Sequence, residues 1–383
     1  MASLRIVGLW KKYGSIIALR DVNLEVNDGE LVTILGPSGA GKTSLLQTIA
    51  GVEEVTSGEV YIDGKLVNKL PPAERDIAMV FETYALYPNK TVFENLAFPL
   101  LSPLRKLNKS EVEKRVKAVA QLLQIDTLLD RNVAQLSGGQ RQRVALGRML
   151  VREPKLFLMD EPIAHLDAKL RHRLRGELKH LQKHIGTTTL YTTHDYREAL
   201  GMGDKVVVLN KGVVLQVGTP DEVYHKPKNA FVGSLIGDPP MNLFDGEIVA
   251  HGDKLWVQTK AFTSPIDEEQ AHVLESKRSK KVKVGLRPSD LILSKESKSL
   301  ESKGFRSYTA KIYVVEPLGV TSIVSLEKGG LIFQAKYKGE EKFLIDETVY
   351  FAFRVEDLYF FDPLTEENLL TRQGWNRKWP GLS

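Results

Sequence analysis

Short apolar runs alternate with helical spacings along the first part of the chain. Leu31–Leu35, Leu156–Met159, Thr189–Thr192 and Val206–Leu209 read as compact strands, and Val60–Asp63 and Ala78–Phe81 as further ones. Between Glu111 and Leu123 the apolar residues Val112, Val116, Val119, Ala120 and Leu123 recur every three or four positions, which predicts a helix. A glycine-rich turn follows the first strand and leads into another helix, Lys42 to about Ala50. Strand and helix alternate, so the expected class is α/β, with a mainly parallel sheet covered by helices.

The pattern changes near Pro239-Pro240. Beyond it come β-type runs at Leu243–Val249, Lys281–Leu286, Ala310–Val315, Ile323–Leu326 and Tyr350–Val355, separated by clusters of Gly, Pro, Asp and Lys. Residues 294–306 are polar and read as a loop. The expected organisation is therefore an α/β domain over residues 1–235 and a small all-β, barrel-like domain over 236–383. A length of 383 residues suits two cores better than one.

Composition narrows the function. The chain has 42% hydrophobic and 26% charged residues, as a globular protein does, and no cysteine. A disulfide framework and a cysteine nucleophile are excluded, and the lack of cysteine suits a reducing cytosol. The net charge of +5 is a mild excess. Its densest basic run, Lys277–Lys283, has no interleaved aromatics and reads as a solvated flank, so no nucleic-acid partner is expected. No apolar stretch is long enough to span a bilayer, and the first eight residues lack the apolar core of a signal peptide. Any service to a membrane is expected to be peripheral, docked on other chains, and the lack of cysteine suits its cytoplasmic face.

Three segments carry chemistry. Gly36-Pro37-Ser38-Gly39-Ala40-Gly41-Lys42-Thr43, followed by Ser44, fits G-x-x-x-x-G-K-[ST] between a strand and a helix. The glycines let backbone N–H groups wrap a phosphate, and the helix N-terminus adds positive potential. Lys42 is placed to reach the β and γ phosphates of ATP, and the Thr43 hydroxyl to ligate Mg²⁺. Leu156–Met159 ends in Asp160 and Glu161, one acid for the metal and one to orient and deprotonate an attacking water. Leu136-Ser137-Gly138-Gly139-Gln140 opens a further helix, Arg141 to Val151. Ser137 is a good N-cap, and the glycines expose a second anion-binding helix start.

With these three in place the chain resembles ABC transporter ATPase subunits, especially the maltose/glycerol-phosphate type of carbohydrate importers. Gly36–Thr43 resembles the Walker A loop, Leu156–Asp160 Walker B and Leu136–Gln140 the ABC signature. The resemblance implies a P-loop cassette with a RecA-like core, a helical lobe and a small antiparallel β part. It implies Glu161 as catalytic glutamate, His194 of Thr192-Thr193-His194-Asp195 as switch histidine, and Tyr13 as the ring stacked on adenine. Gly285-Leu286-Arg287-Pro288, Phe361–Thr365 and Asp238–Phe244 resemble landmarks of the family's OB-like regulatory domain. The implied partners are two transmembrane permease subunits, a second ATPase subunit and, indirectly, a solute-binding protein. The implied cargo is a sugar, a polyol or a related carbohydrate, with polyamines, sulfate and metals, whose importers carry related tails, as open alternatives. Tyr84–Thr91 falls where the family meets its permeases.

Two positions depart from the family. Glu82, kept with Thr43 and Asp160 as a candidate Mg²⁺ ligand, stands where the family has a glutamine that ligates the ion. Ala164-His165-Leu166-Asp167 replaces the usual Ser-Asn-Leu-Asp of the D-loop and keeps only its Leu and Asp. Both lie near a nucleotide sandwiched at the subunit seam. They leave two alternatives open: a heterodimer in place of a homodimer, and a non-hydrolysing nucleotide sensor in place of an ATPase. A soluble ABC ATPase acting on DNA or ribosomes is the remaining rival, without the coiled-coil insertion or second cassette usual for that class.

Overall fold

The computed structural model describes residues 2–81, 84–101, 107–152, 154–164, 168–277 and 280–370. Glu82, His165, Leu166 and Asp167 therefore lie outside the described residues. The chain forms two compact units, Met1–Asp221 and Glu222–Ser383.

The first unit is built on a six-stranded sheet. Its spatial order is Val213–Gly218, Lys205–Asn210, Leu31–Leu35, Thr188–Thr193, Leu156–Asp160 and Ile77–Val80. All neighbours are parallel except the Val213–Gly218 edge. The three central strands are buried along their whole length. Both faces of such a sheet are covered, which is why their sequences are continuous runs and not alternations. Val60–Asp63, read above with these strands, instead belongs to Ser57–Ile62 of a separate four-stranded sheet, paired antiparallel with Leu4–Tyr13. The helix Lys42–Ala50 packs Leu45, Leu46 and Ile49 into a core shared by both sheets.

A helical lobe gathers Val92–Ala97, Lys109–Leu122 and Gly138–Leu150 around Leu96, Val112, Val116, Ala120 and Val144. Each of these helices opens on a reciprocal capping box: Thr91 with Glu94, Asn108 with Glu111, and Ser137 with Gln140.

The second unit holds two five-stranded antiparallel sheets. Phe244, Phe262, Phe333, Phe351 and Phe353 fill its core. The helices Glu268–Lys277 and Ser297–Glu301, the latter inside the stretch read as loop, were not anticipated. The unit begins ahead of the boundary expected near residue 235, because residues 222–236 are pulled into it by side chains from its strands and turns. Arg287 is 2% exposed and donates to the carbonyls of Ile236 at 2.5 Å, Gly233 at 3.5 Å and Tyr224. Its guanidinium also lies 4.0 Å from the Tyr224 ring centroid. Asn368 donates to the Pro227 carbonyl at 2.8 Å. The Pro239-Pro240 shift in composition marks where the strands start, not where the contacts change.

Arg287→Ala should leave these carbonyls without their buried donor and lower the stability of the second unit by about 2–4 kcal/mol. Amide exchange across residues 222–236 should quicken; wild-type exchange there would show that Arg287 holds nothing.

Candidate active site

Strand register brings the sequence motifs together. Leu35 lies opposite Thr193, and Asp160 opposite Thr192, so three loops leave the sheet at one level. Ligands of open parallel sheets bind at such carboxyl ends. Gly36 is fixed there by lack of room: a Cβ would stand 2.2 Å from the Leu209 carbonyl oxygen. Gly41 has φ 104°, and a Cβ on it would meet the Ala18 oxygen at 2.6 Å. The N–H of Ala40 bonds to the Pro37 carbonyl at 3.1 Å and closes the loop, leaving Ser38 and Gly39 exposed at its tip. Gly41 offers no side chain to cap the helix that begins at Lys42, so an anion can take that place.

Lys42 is 5% exposed and donates to the Gly36 and Pro37 carbonyls at 2.8 and 3.1 Å. Its Nζ also pairs with Glu161 Oε1 at 3.1 Å. Asp160, 4% exposed, accepts from the Thr192 hydroxyl at 2.8 Å and the Thr43 hydroxyl at 3.3 Å. A hydroxyl and a carboxylate oxygen thus stand side by side at the helix start. Both are hard oxygen donors of the kind Mg²⁺ takes, and so few suit an ion that completes its shell with phosphates and water. Among the described residues no group of three or more His, Cys, Asp or Glu could hold a metal unaided.

Glu161 occupies the left-handed region, φ 44°. Such a conformation persists only where surrounding bonds fix it. Its N–H donates to the Thr192 hydroxyl oxygen at 3.0 Å, and its carbonyl accepts from the Ala164 N–H at 3.2 Å. Its carboxylate lies between Lys42 and His194, whose Nδ1 is 2.8 Å from Oε2. Burial pushes this carboxyl up, but the hydrogen bonds and charges of His194 and Lys42 outweigh it and hold the acid below the usual glutamate value. It is therefore ionised at neutral pH.

Tyr13, 38% exposed, ends the strand Leu4–Tyr13 with Lys11 Nζ 4.6 Å from its ring centroid. The paired strand, Ile16–Val26, passes Gly41 at Ala18. Leu136–Gln140 stands on the helical lobe, where Leu136 is buried and Ser137 exposed. The Ser137 hydroxyl accepts from the Gln140 N–H at 3.3 Å. This helix reaches the site through Gln142, which donates to the Pro162 carbonyl at 2.8 Å.

Sequence reasoning passed over Thr192 and Gln142. Thr192 reads as an ordinary strand threonine, yet it braces both acids. Gln142 lies two residues past the signature, a spacing with no meaning until the helix is placed.

A second feature is a cleft of about 930 Å³ between the sheet edge and the helical lobe, lined by Met79, Tyr84, Tyr87, Phe98, Leu101 and Arg148 among others. Tyr87 lies 4.5 Å from Phe98 between ring centroids, and the Arg148 guanidinium is 4.6 Å from the Tyr87 ring. Phe98 and Leu101 are 47% and 64% exposed. Among the described residues, no helix is long and apolar enough to cross a membrane.

Comparison with known proteins agrees with this geometry. Residues 19–164 match the ABC transporter family and residues 237–291 the MalK OB fold domain. The trehalose/maltose import ATP-binding protein MalK of Thermococcus litoralis is 46% identical over 373 residues, spanning 95% of this chain and 99% of the relative. The sn-glycerol-3-phosphate import ATP-binding protein UgpC of Bordetella avium is 45% identical, spanning 86% of this chain and 87% of the relative. The trehalose import ATP-binding protein SugC of Mycobacterium tuberculosis is 41% identical, spanning 92% and 94%. Among solved structures, an ATP-binding cassette dimer in a post-hydrolysis state with ADP and Pi superimposes with TM-score 0.51 at 34% identity, covering 57% of this chain and 98% of that one. A match to the ABC transporter family over residues 19–164, a MalK-type OB fold after it and relatives 41–46% identical over most of the chain make this chain a member of the ABC transporter ATP-binding family.

Proposed function

We propose that this chain hydrolyses ATP to drive import of a carbohydrate, a polyol or a related solute through two permease subunits. The observation that carries the reading is the ionised Glu161 carboxylate held between Lys42 and His194 at the mouth of the phosphate loop. Gly36–Ser44 wrap the phosphates with backbone N–H groups, and Tyr13 carries the adenine. Thr43 and Asp160 would hold Mg²⁺, which would neutralise phosphate charge. When the Lys42 ammonium exchanges Glu161 Oε1 for phosphate oxygens, that carboxylate oxygen is freed to accept a proton from the attacking water. His194 stays within reach to hold the γ-phosphate side of the same water.

Leu136–Gln140 of a second cassette, either a copy of this chain or a related ATPase, closes over the nucleotide. That role fits the exposed Ser137 and the half-buried Gly138 and Gly139 that follow it at the helix start. The Tyr87–Arg148 cleft receives a permease segment; exposed Phe98 and Leu101 offer it apolar area. The chain thereby works peripherally on the cytoplasmic face. The carbohydrate class is supported by relatives named for trehalose, maltose and glycerol phosphate import.

Uptake into vesicles carrying the complete transporter tests the reading. Labelled trehalose, maltose and glycerol 3-phosphate should be screened, and one carbohydrate-class solute should accumulate only with ATP and Mg²⁺ on the cassette side. Uptake that proceeds without ATP, or ATP hydrolysis indifferent to every such solute, would overturn it.

A further inference from the structure

Beneath His194 lies a buried acid that none of the motifs uses. Glu198, on the helix Tyr196–Met202, is 4% exposed. Its Oε2 accepts from the Thr193 hydroxyl at 2.8 Å and the Tyr191 hydroxyl at 3.1 Å. The Thr193 oxygen also accepts from the Asp195 N–H at 3.0 Å. The residues on both sides of His194 are thus tied to one carboxylate.

The other oxygen faces the opposite way. Glu198 Oε1 lies 4.0 Å from Arg171 Nε. Arg171, on the helix Ala168–Ile185, donates from Nη2 to the Ala164 carbonyl at 3.0 Å. The Ala164 N–H bonds back to the Glu161 carbonyl at 3.2 Å. With the 2.8 Å contact between His194 and Glu161, these contacts close a ring. It runs from Glu161 through Ala164, Arg171, Glu198 and Thr193 to His194, and back to Glu161.

We propose that Glu198 and Arg171 are positioning residues for hydrolysis, which hold the turn of Glu161 and the loop of His194 in register as one body. The inference rests on the reading of Glu161 and His194 given above. Two further observations favour it. The left-handed backbone of Glu161 needs fixing from outside, and the link from Arg171 to Ala164 supplies it one turn on. Burial raises the Glu198 carboxyl above its ordinary range despite the Thr193 and Tyr191 hydroxyls. A buried acid is costly where an apolar side chain would pack, so its contacts are what it provides. The Gln142 bond to the Pro162 carbonyl ties the signature helix to the same turn.

The test is a double-substitution cycle on the full-length chain in its assembled transporter, with phosphate release measured against Mg-ATP concentration. Glu198→Gln keeps the acceptor for Thr193 and Tyr191 but removes the charge that faces Arg171. Arg171→Gln removes the other partner. Each should lower kcat about tenfold, since small misplacements of reacting groups cost rate steeply, with KM for ATP and the melting temperature near wild type. The pair together should cost no more than either alone, because both cut the same ring. Arg171→Lys, which restores the charge, should recover part of the loss. Wild-type kcat in either single variant, losses that multiply, or a change confined to KM would overturn the proposal. If Glu198→Gln fails to fold, Arg171→Gln against Arg171→Lys still decides it through kcat. A Glu161→Gln enzyme that turns over normally would instead sink the underlying assignment. An inactive Glu161→Gln beside a fully active Glu198→Gln would sink this inference alone.

Discussion

Glu161→Gln should give a chain that binds ATP at least as tightly as the wild type and turns it over at least about 100-fold more slowly. The amide keeps the shape of the side chain, so the turn held by Thr192 and Ala164 should survive. What disappears is the basic oxygen. In the wild type His194 and Lys42 outweigh burial and keep the carboxyl below its ordinary value, so the base is already deprotonated at neutral pH. A depressed carboxylate adds stability above the ordinary glutamate range, and that contribution is lost as pH falls through the lowered folded value. Removing the charge also leaves Lys42 with the carbonyls of Gly36 and Pro37 and no anion, which should favour phosphate as its next partner. Single-turnover phosphate release and equilibrium ATP binding, measured side by side, check both halves. A variant with wild-type turnover would mean that another group takes the proton.

Much of this site was legible as linear pattern. Lys42, Asp160 and His194 each end or follow a short apolar run, and runs of that kind become buried parallel strands with functional tips. What the pattern could not carry was register. Only the pairing of Leu35 with Thr193 and of Asp160 with Thr192 puts the three tips level. Thr192 was unreadable for the same reason: its hydroxyl matters because a neighbouring strand delivers Asp160 and Glu161 beside it. Glu198 had no signal either, since an acid in the first turn of a short helix is ordinary until it proves to be buried.

The fold showed a similar division. Val60–Asp63 read as a strand, but so short a run says nothing about which neighbour it pairs with, and Val60–Ile62 proves to lie in the antiparallel sheet. Glu268–Lys277 escaped notice because few of its residues are apolar, Leu274 and Ala271 among them, and its burial depends on the sheets around it. Ser297–Glu301 is held in the core by Leu300 alone, 1% exposed, within a polar stretch. Leu358–Phe361 is wholly buried, yet an unbroken apolar run of four carries no period by which to recognise a strand.

Lys42→Ala should fail at an earlier step than Glu161→Gln: ATP binding should weaken roughly 100-fold, about 2.7 kcal/mol. The ammonium is nearly buried and is aimed by two loop carbonyls and one carboxylate, so its position is set before any phosphate arrives. Its deletion removes the cation from the phosphates and uncovers the Gly36 and Pro37 carbonyls, whose negative ends then face them. It also takes away one of the two partners that lower the Glu161 carboxyl, which should rise toward the value that burial alone would give. Two independent readouts follow. Nucleotide affinity should fall for ATP more than for AMP, which lacks the phosphates that Lys42 is placed to meet. The Glu161 carboxyl, followed by carbon-detected NMR, should titrate at higher pH than in the wild type. Equal losses for ATP and AMP would point to a collapsed loop and not to a missing cation. An unmoved Glu161 titration would show that His194 alone sets the charge of the base.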